Sequence, residues 1–369
     1  MPSCARKDIL DPLTQQVVHC WARCVRRCFL CGRDPRTGKD YNFRRKQIVR
    51  REKLLARLFA VEIAFHVELS NHVHLVLRNR PDIVQGWSDE EVVRRWLCIS
   101  KLTRSFDDQI VEPSPNEVQI QARDRERVAE LRVRLSSISH FMASLDENIA
   151  RRCNAQDQTS GRFWEGRFGC RVLTDETAIL VCGIYVDLNQ IRAGEADTPE
   201  ESYHTSAYDR IVAWRQRQQV AQSVCGPPED PLAAGRVPSS ADEMPADGWL
   251  CSLTLDQGLE ADVRNGGPSV TAWRASDKGL LPMTLEEYLS LLDWTGREIR
   301  AGKRNAIPSE LAPILQRLHV REATWIEAVE EFDKQAGRVV GRASQMIEVA
   351  RRAGRRWFRG VRYCARIFS

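Results

Sequence analysis

The 369-residue sequence has no apolar run long enough to cross a bilayer. Its longest, around Ala178 to Val186, is under half of the roughly 20 residues that a spanning helix needs. The start, MPSCARKDIL, has no apolar h-region, so the expected location is the cytoplasm, in association with the nucleoid. No second C-x-x-C pair accompanies Cys28 and Cys31, and a closed zinc site needs one. Cys20 and Cys24 precede that pair at four-residue steps without completing it. Scattered over so long a chain, the 12 cysteines are expected as reduced, buried thiols. Lysine is scarce too, because the 55 cationic residues are mostly Arg. With a net charge of +5, that composition favours a phosphate-bearing partner, since a guanidinium forks bidentately onto phosphate.

Against these absences stands Asn71-His72-Val73-His74-Leu75-Val76-Leu77. Its period of two predicts a strand that sends His72 and His74 from one face and Val73, Leu75 and Leu77 from the other. Two imidazoles fixed on one strand face are a ready pair of metal ligands, although two histidines two apart also arise without any metal. Residues 60 to 69 predict a preceding strand, Ser70-Asn71 the turn of an antiparallel hairpin, and His66 receives no role. Residues 15 to 31 predict a first strand, with His19 and Arg23 on one face.

Residues 43 to 60 carry a helical pattern with Arg44, Arg45, Lys46, Arg50, Arg51, Lys53 and Arg57 as a basic surface around apolar anchors. Ser88 and Glu91 form a capping box before a further helix, and residues 118 to 152 are again helical. In the segment GRFWEGRFGCR, Arg162, Arg167 and Arg171 interleave with Phe163, Trp164 and Phe168. Cations that track phosphates and rings that stack on bases have this composition, as do core aromatics flanked by charge. A helix then runs from about Asp175 to Gly194, where Tyr185 and Asn189 share a face one turn apart.

The NHVHLVL strand, the RFWEGRF segment and the YVDLNQIRAG helix, in this order, resemble the REP-associated tyrosine transposases of the HUH single-tyrosine superfamily, over roughly residues 10 to 210. The resemblance implies an α+β fold of ferredoxin-like type, with a central antiparallel sheet flanked by helices. It also implies His72 and His74 as metal ligands, Tyr185 as nucleophile, Asn189 as third ligand, and Mg or Mn as the cofactor. The implied partner is single-stranded or hairpin DNA, with no nucleotide cofactor, handled by a monomer or a homodimer. Arg162, Arg167, Arg171 and Trp164 are the expected DNA contacts. Where the family has Pro before its Asn-His-x-His and Asn-Pro after the tyrosine, this chain has Ser70 and Gln190, and Gln190 offers a neighbouring amide oxygen. Two further readings stay open: a hairpin-binding regulator that does not cut, and a replication-initiation nickase of the same superfamily.

Beyond Tyr208 a short helix is expected to about Gln222, then a linker marked by Pro227, Pro228, Pro231, Pro238 and Pro245. The expected division is a transposase domain over 1–210, a linker and irregular segment over 211–281, and a basic all-helical module over 282–369. That module opens on a Thr284–Glu287 capping box, and its tail from Arg338 carries nine Arg against one Glu.

Overall fold

The computed structural model describes residues 5–25, 29–224, 244–254, 267–302, 308 and 310–368. The fold is α+β, a five-stranded sheet flanked by helices with a helical C-terminal region. Strand β1 (Val17–Arg23) is followed by helix α1 (Phe43–Leu58), then by β2 (Val61–Glu68) and β3 (His72–Asn79) as the expected hairpin. The first strand is shorter than its composition suggested. Past Arg23 the chain leaves the ladder, and Leu30 and Cys31 donate instead to the Ser70 carbonyl at the hairpin turn. Cys20, Cys24 and Cys31 are buried thiols, while Cys28 lies outside the described residues.

Helices α2 (Pro81–Gln85), α3 (Asp89–Arg104), α4 (Pro115–Ala122), α5 (Arg125–Leu135) and α6 (Ile138–Gln156) follow. Ser88 caps α3, its hydroxyl accepting from the Glu91 amide. The helical run from 118 to 152 is broken twice because Asp124 and Ser137 each accept an amide three residues on, and so restart a helix. Strand β4 (Gly169–Leu173) then lies against β1, α7 (Glu176–Asp187) packs on the sheet, and α8 (Asn189–Arg192) follows it. Helix α9 (Ser206–Val224) lies beside β2, where His66 donates its backbone amide to the Ser206 hydroxyl.

The strand order is β2-β3-β1-β4-β5, antiparallel except for the last pair. Register sets the two faces. His72, His74 and Val76 share a face with Arg23, Trp21 and His19 of β1, and α7 covers it. Val73 and Leu75 share the other with Glu68 and His66 of β2, and α1 covers that side. Packing under α7 is close enough to require glycine, since a Cβ at Gly183 would lie 2.5 Å from the Phe65 ring.

Two cations of the expected basic surface on α1 are interior. Arg44 bonds Asp157, Gln156 and the Phe29 carbonyl, and Arg51 bonds the Leu102 and Ser105 carbonyls. Each guanidinium closes a loop that would otherwise bury bare carbonyls. Lys46, Arg50 and Arg57 stay exposed.

Residues 244–254 and 267–283 pack against the far end of the hairpin. The Cys251 amide donates to Ile63 on the outer edge of β2, and buried Arg78 bonds Glu62 together with the Lys278 and Gly279 carbonyls. Backbone and side chain thereby occupy a sheet edge that would otherwise be open to a further strand. Four of the five linker prolines lie outside the described residues.

The C-terminal region comprises α10 (Leu285–Ala301), α11 (Ala312–Arg317), α12 (Trp325–Glu330), α13 (Phe332–Gln335), a two-residue strand β5 (Val339–Val340), α14 (Ala343–Arg352) and α15 (Val361–Ile367). Thr284 and Glu287 cap α10 reciprocally, and Gly302 at φ 62° ends it. Strand β5 pairs parallel with β4, so this helical region also extends the sheet. Tyr288 of α10 donates to Asp187 at the end of α7, at 2.6 Å.

Candidate active site on the α7 face of the sheet

Period-two alternation on β3 brings the His72 and His74 rings together at 4.7 Å between centroids. His72 Nδ1 lies 2.5 Å from the Asn71 side-chain oxygen, which assigns the ring proton to Nδ1 and leaves Nε2 with its lone pair. His74 Nδ1 meets His19 Nε2 at 2.9 Å, and His74 Nε2 is buried without a protein partner. Burial is the first cause that holds both rings neutral. It drives His74 well below the ordinary imidazole range, helped by His19 and His72, and brings His72 down to about 4 with help from Arg23. Neutral imidazole is the ligand form, so two fixed, uncharged rings and an orphaned ring nitrogen fit a divalent first-row cation.

Tyr185 stands over His74 and His19, its ring 5.8 Å from the first and 6.1 Å from the second, both edge-on. The helix changes element at Leu188, but the i, i+4 relation survives and leaves Asn189 one turn beyond Tyr185. The Asn189 Nδ2 is buried without a hydrogen-bond partner. Gln190 points elsewhere, its amide donating to the Tyr203 carbonyl at 2.8 Å. Burial pushes the phenol up to about 12 and Asp333 adds to it, while Arg192, 4.9 Å over the ring, and Asn189 pull the other way. The side chain is a phenol, not a phenolate, at neutral pH.

The C-terminal region closes the face. Phe332 packs 5.3 Å from the Tyr185 ring and 6.1 Å from His19, and Tyr185 is only 4% exposed. Asp333 pairs with Arg171, which also lies 4.8 Å over Trp21. That indole in turn covers Gly169, where a Cβ would lie 2.3 Å from it.

Of the four expected DNA contacts, two are interior in this structure. Trp164 is buried, because residues 163–165 run beside the end of β1 and its indole donates to the Asp146 carbonyl at 2.8 Å, leaving no open ring face for a base. Arg171 lies on the sheet under α13 and is held by Asp333. Arg162 and Arg167 are exposed, while Phe163 and Phe168 join the core. Sequence reasoning missed His19 as the group that holds His74, and it missed Phe332 and Asp333 entirely. The face shared by His19 and Arg23 was a signal for the first. Nothing local marks the other two.

Among the described residues no helix is long and apolar enough to cross a membrane. Neither a family model nor a curated protein matches the sequence. Among solved structures, that of a REP-associated tyrosine transposase bound to a REP hairpin aligns over 61% of this chain and 93% of its own, at 11% identity and a TM-score of 0.30.

Proposed function

We propose that this chain is a metal-dependent transposase that cleaves and rejoins single-stranded, hairpin-flanked DNA through a 5'-phosphotyrosine. One observation carries the reading: a buried tyrosine, one helical turn from Asn189, packs edge-on against His74, whose neutral ring converges with that of His72 and keeps an orphaned nitrogen. A structural tyrosine needs no such neighbours.

His72 and His74, with the Asn189 amide oxygen as third donor, would hold Mg or Mn, and Mn tolerates nitrogen ligands better. The cation would supply polarisation of the scissile phosphodiester. The phenol of Tyr185 gives up its proton and its oxygen bonds to phosphorus; the bond from phosphorus to the 3' oxygen breaks, and that oxygen takes up a proton. The phosphotyrosyl bond conserves the phosphodiester energy, so a later 3'-OH can displace Tyr185 and reseal the strand. Asn189 orients the phenol, and Arg192 favours the negative charge that develops on it. Phe332 has to move for a phosphate to reach Tyr185, so the reading requires α13 to leave the face when DNA binds. Exposed Arg162 and Arg167 are the proposed phosphate contacts, and residues 1–210 the proposed catalytic domain.

The second reading, a hairpin-binding regulator, is favoured by the same closure over Tyr185. An oligonucleotide with a hairpin and a single-stranded flank, incubated with the protein and Mn, separates them. Transposase chemistry yields a cut flank and, with a second oligonucleotide, a joined product, whereas binding without either product leaves the regulator.

A further inference from the structure

On the opposite face of the sheet a second cluster of ligating side chains is completely buried. Glu52 comes from α1, and His66 and Glu68 from β2, each fully out of solvent. His66 Nδ1 lies 3.1 Å from one Glu68 oxygen and 3.7 Å from one Glu52 oxygen, and one ligand atom from each residue falls within 4.8 Å of the other two. Both Glu52 oxygens and the second Glu68 oxygen have no hydrogen-bond partner. Buried carboxylates are normally paired, bonded or bound to a cation, because desolvating an unpaired charge costs several kcal/mol.

We propose that Glu52, His66 and Glu68 hold a second divalent cation, separate from the proposed catalytic one, that pins α1 to β2. The spacing suits it. Two donors each about 2.1 Å from one ion lie about 3.0 Å apart at a right angle and about 3.4 Å apart at the tetrahedral angle. With Nδ1 on the cation the ring proton sits on Nε2, which faces Asp209 of α9 at 3.9 Å; without a cation Nδ1–H donates to Glu68 at 3.1 Å. Asp209 is itself held by the Trp249 indole at 3.1 Å. A ligating imidazole backed by a carboxylate is how proteins fix ligand tautomer and ring orientation. An imidazolium whose Nδ1–H donates to Glu68, with one proton shared between the glutamates, would still leave one Glu52 oxygen without a hydrogen bond, whereas a cation with three protein donors can take both.

The remaining charged groups near the cluster do not oppose a cation strongly. Arg45 is paired with Glu195, and burial keeps the nearby His204 below its ordinary range. One imidazole and two carboxylates select a first-row transition cation, Mn or Zn, over Ca. Because β2 sends His66 and Glu68 away from the His72 face, the site does not depend on the chemistry proposed for Tyr185.

The test uses full-length His72→Ala/His74→Ala protein, expressed with Mn or Zn in the medium, dialysed, and assayed for metal by elemental analysis. The proposal expects about one equivalent per chain, falling below about 0.2 when Glu52→Gln or His66→Gln is added. It also expects a strong chelator to lower the melting temperature of the His72→Ala/His74→Ala protein, a readout that leaves the cluster intact if the added variants do not fold. Less than about 0.2 equivalent in that protein, with melting indifferent to chelator, overturns the proposal and leaves a shared proton between the glutamates. Since both proposed catalytic imidazoles are already gone, neither result bears on the transposase reading.

Discussion

His19 Nε2 and His74 Nδ1 meet at 2.9 Å between neighbouring strands, so an imidazole of β1 fixes the ring of a proposed ligand on β3. With His74 Nδ1–H donating, the lone pair of His74 Nε2 is left for a metal, and His19 acts as a positioning residue. Replacing an outer partner of this kind weakens metal affinity about 10- to 100-fold. His19→Phe should therefore weaken Mn binding at the His72 site by that factor in calorimetric titration, while melting shows the protein folded. His19→Gln, which keeps an acceptor, should recover part of the loss. Unchanged affinity in both variants would remove His19 from the site.

The C-terminal tail is basic on its surface, with Arg356, Arg359 and Arg362 exposed around α15. If these three meet phosphates, changing all three to Gln should reduce the slope of log affinity against log salt by about 2, taking about 0.7 per single-strand contact. Fluorescence anisotropy with a labelled single strand across a salt series measures it. An unaltered slope would assign the tail to solvent or to another protein.

The readable parts of this chain were the local ones. Alternation placed His72 and His74 on one face, and helical spacing placed Tyr185 beside Asn189, because each depends on a single element's period. The His19 contact depends on the register between β1 and β3, which is set by pairing across more than fifty residues. The interior placement of Trp164 and Arg171 was not legible because an Arg-aromatic composition serves a sheet surface under a helix as well as it serves a DNA groove. Arg171 is held by Asp333, 162 residues along the chain, and Trp164 by the Asp146 carbonyl on α6. His66 received no role because Glu68, which shares its face of β2, makes only a pair, and the third group, Glu52, comes from α1. Strand β5 has two residues, too few to show any period.

Asp146 offers a pH test of the core behind the RFWEGRF segment. Burial raises its carboxyl to about 7, with Arg6 opposing, and one of its oxygens has no partner. The folded state thus keeps a proton that the unfolded chain releases near pH 4. The stabilisation from that proton is complete below about 4 and is lost as pH rises through about 7. Asp146→Asn should remove this slope and stabilise the protein at pH 8 by on the order of 1–4 kcal/mol. Denaturant unfolding at pH 5 and pH 8 compares the two proteins, and an unchanged difference between the two pH values would mean that Asp146 ionises freely.

The central claim rests on the phenol of Tyr185. Of the six tyrosines it alone packs on His74: Tyr41 stacks on Phe29, Tyr203 and Tyr208 pack on each other, Tyr288 is bonded to Asp187 and Tyr363 to the Ala328 carbonyl. The direct measurement is a denaturing gel of protein incubated with Mn and a labelled hairpin oligonucleotide bearing a single-stranded flank, with the adducted peptide identified by mass spectrometry. The account predicts a covalent adduct on Tyr185 that Tyr185→Phe abolishes while hairpin affinity stays within about threefold, because the ring that packs against Phe332 is kept. An adduct that persists in the Phe variant, or that maps to another residue, would contradict it.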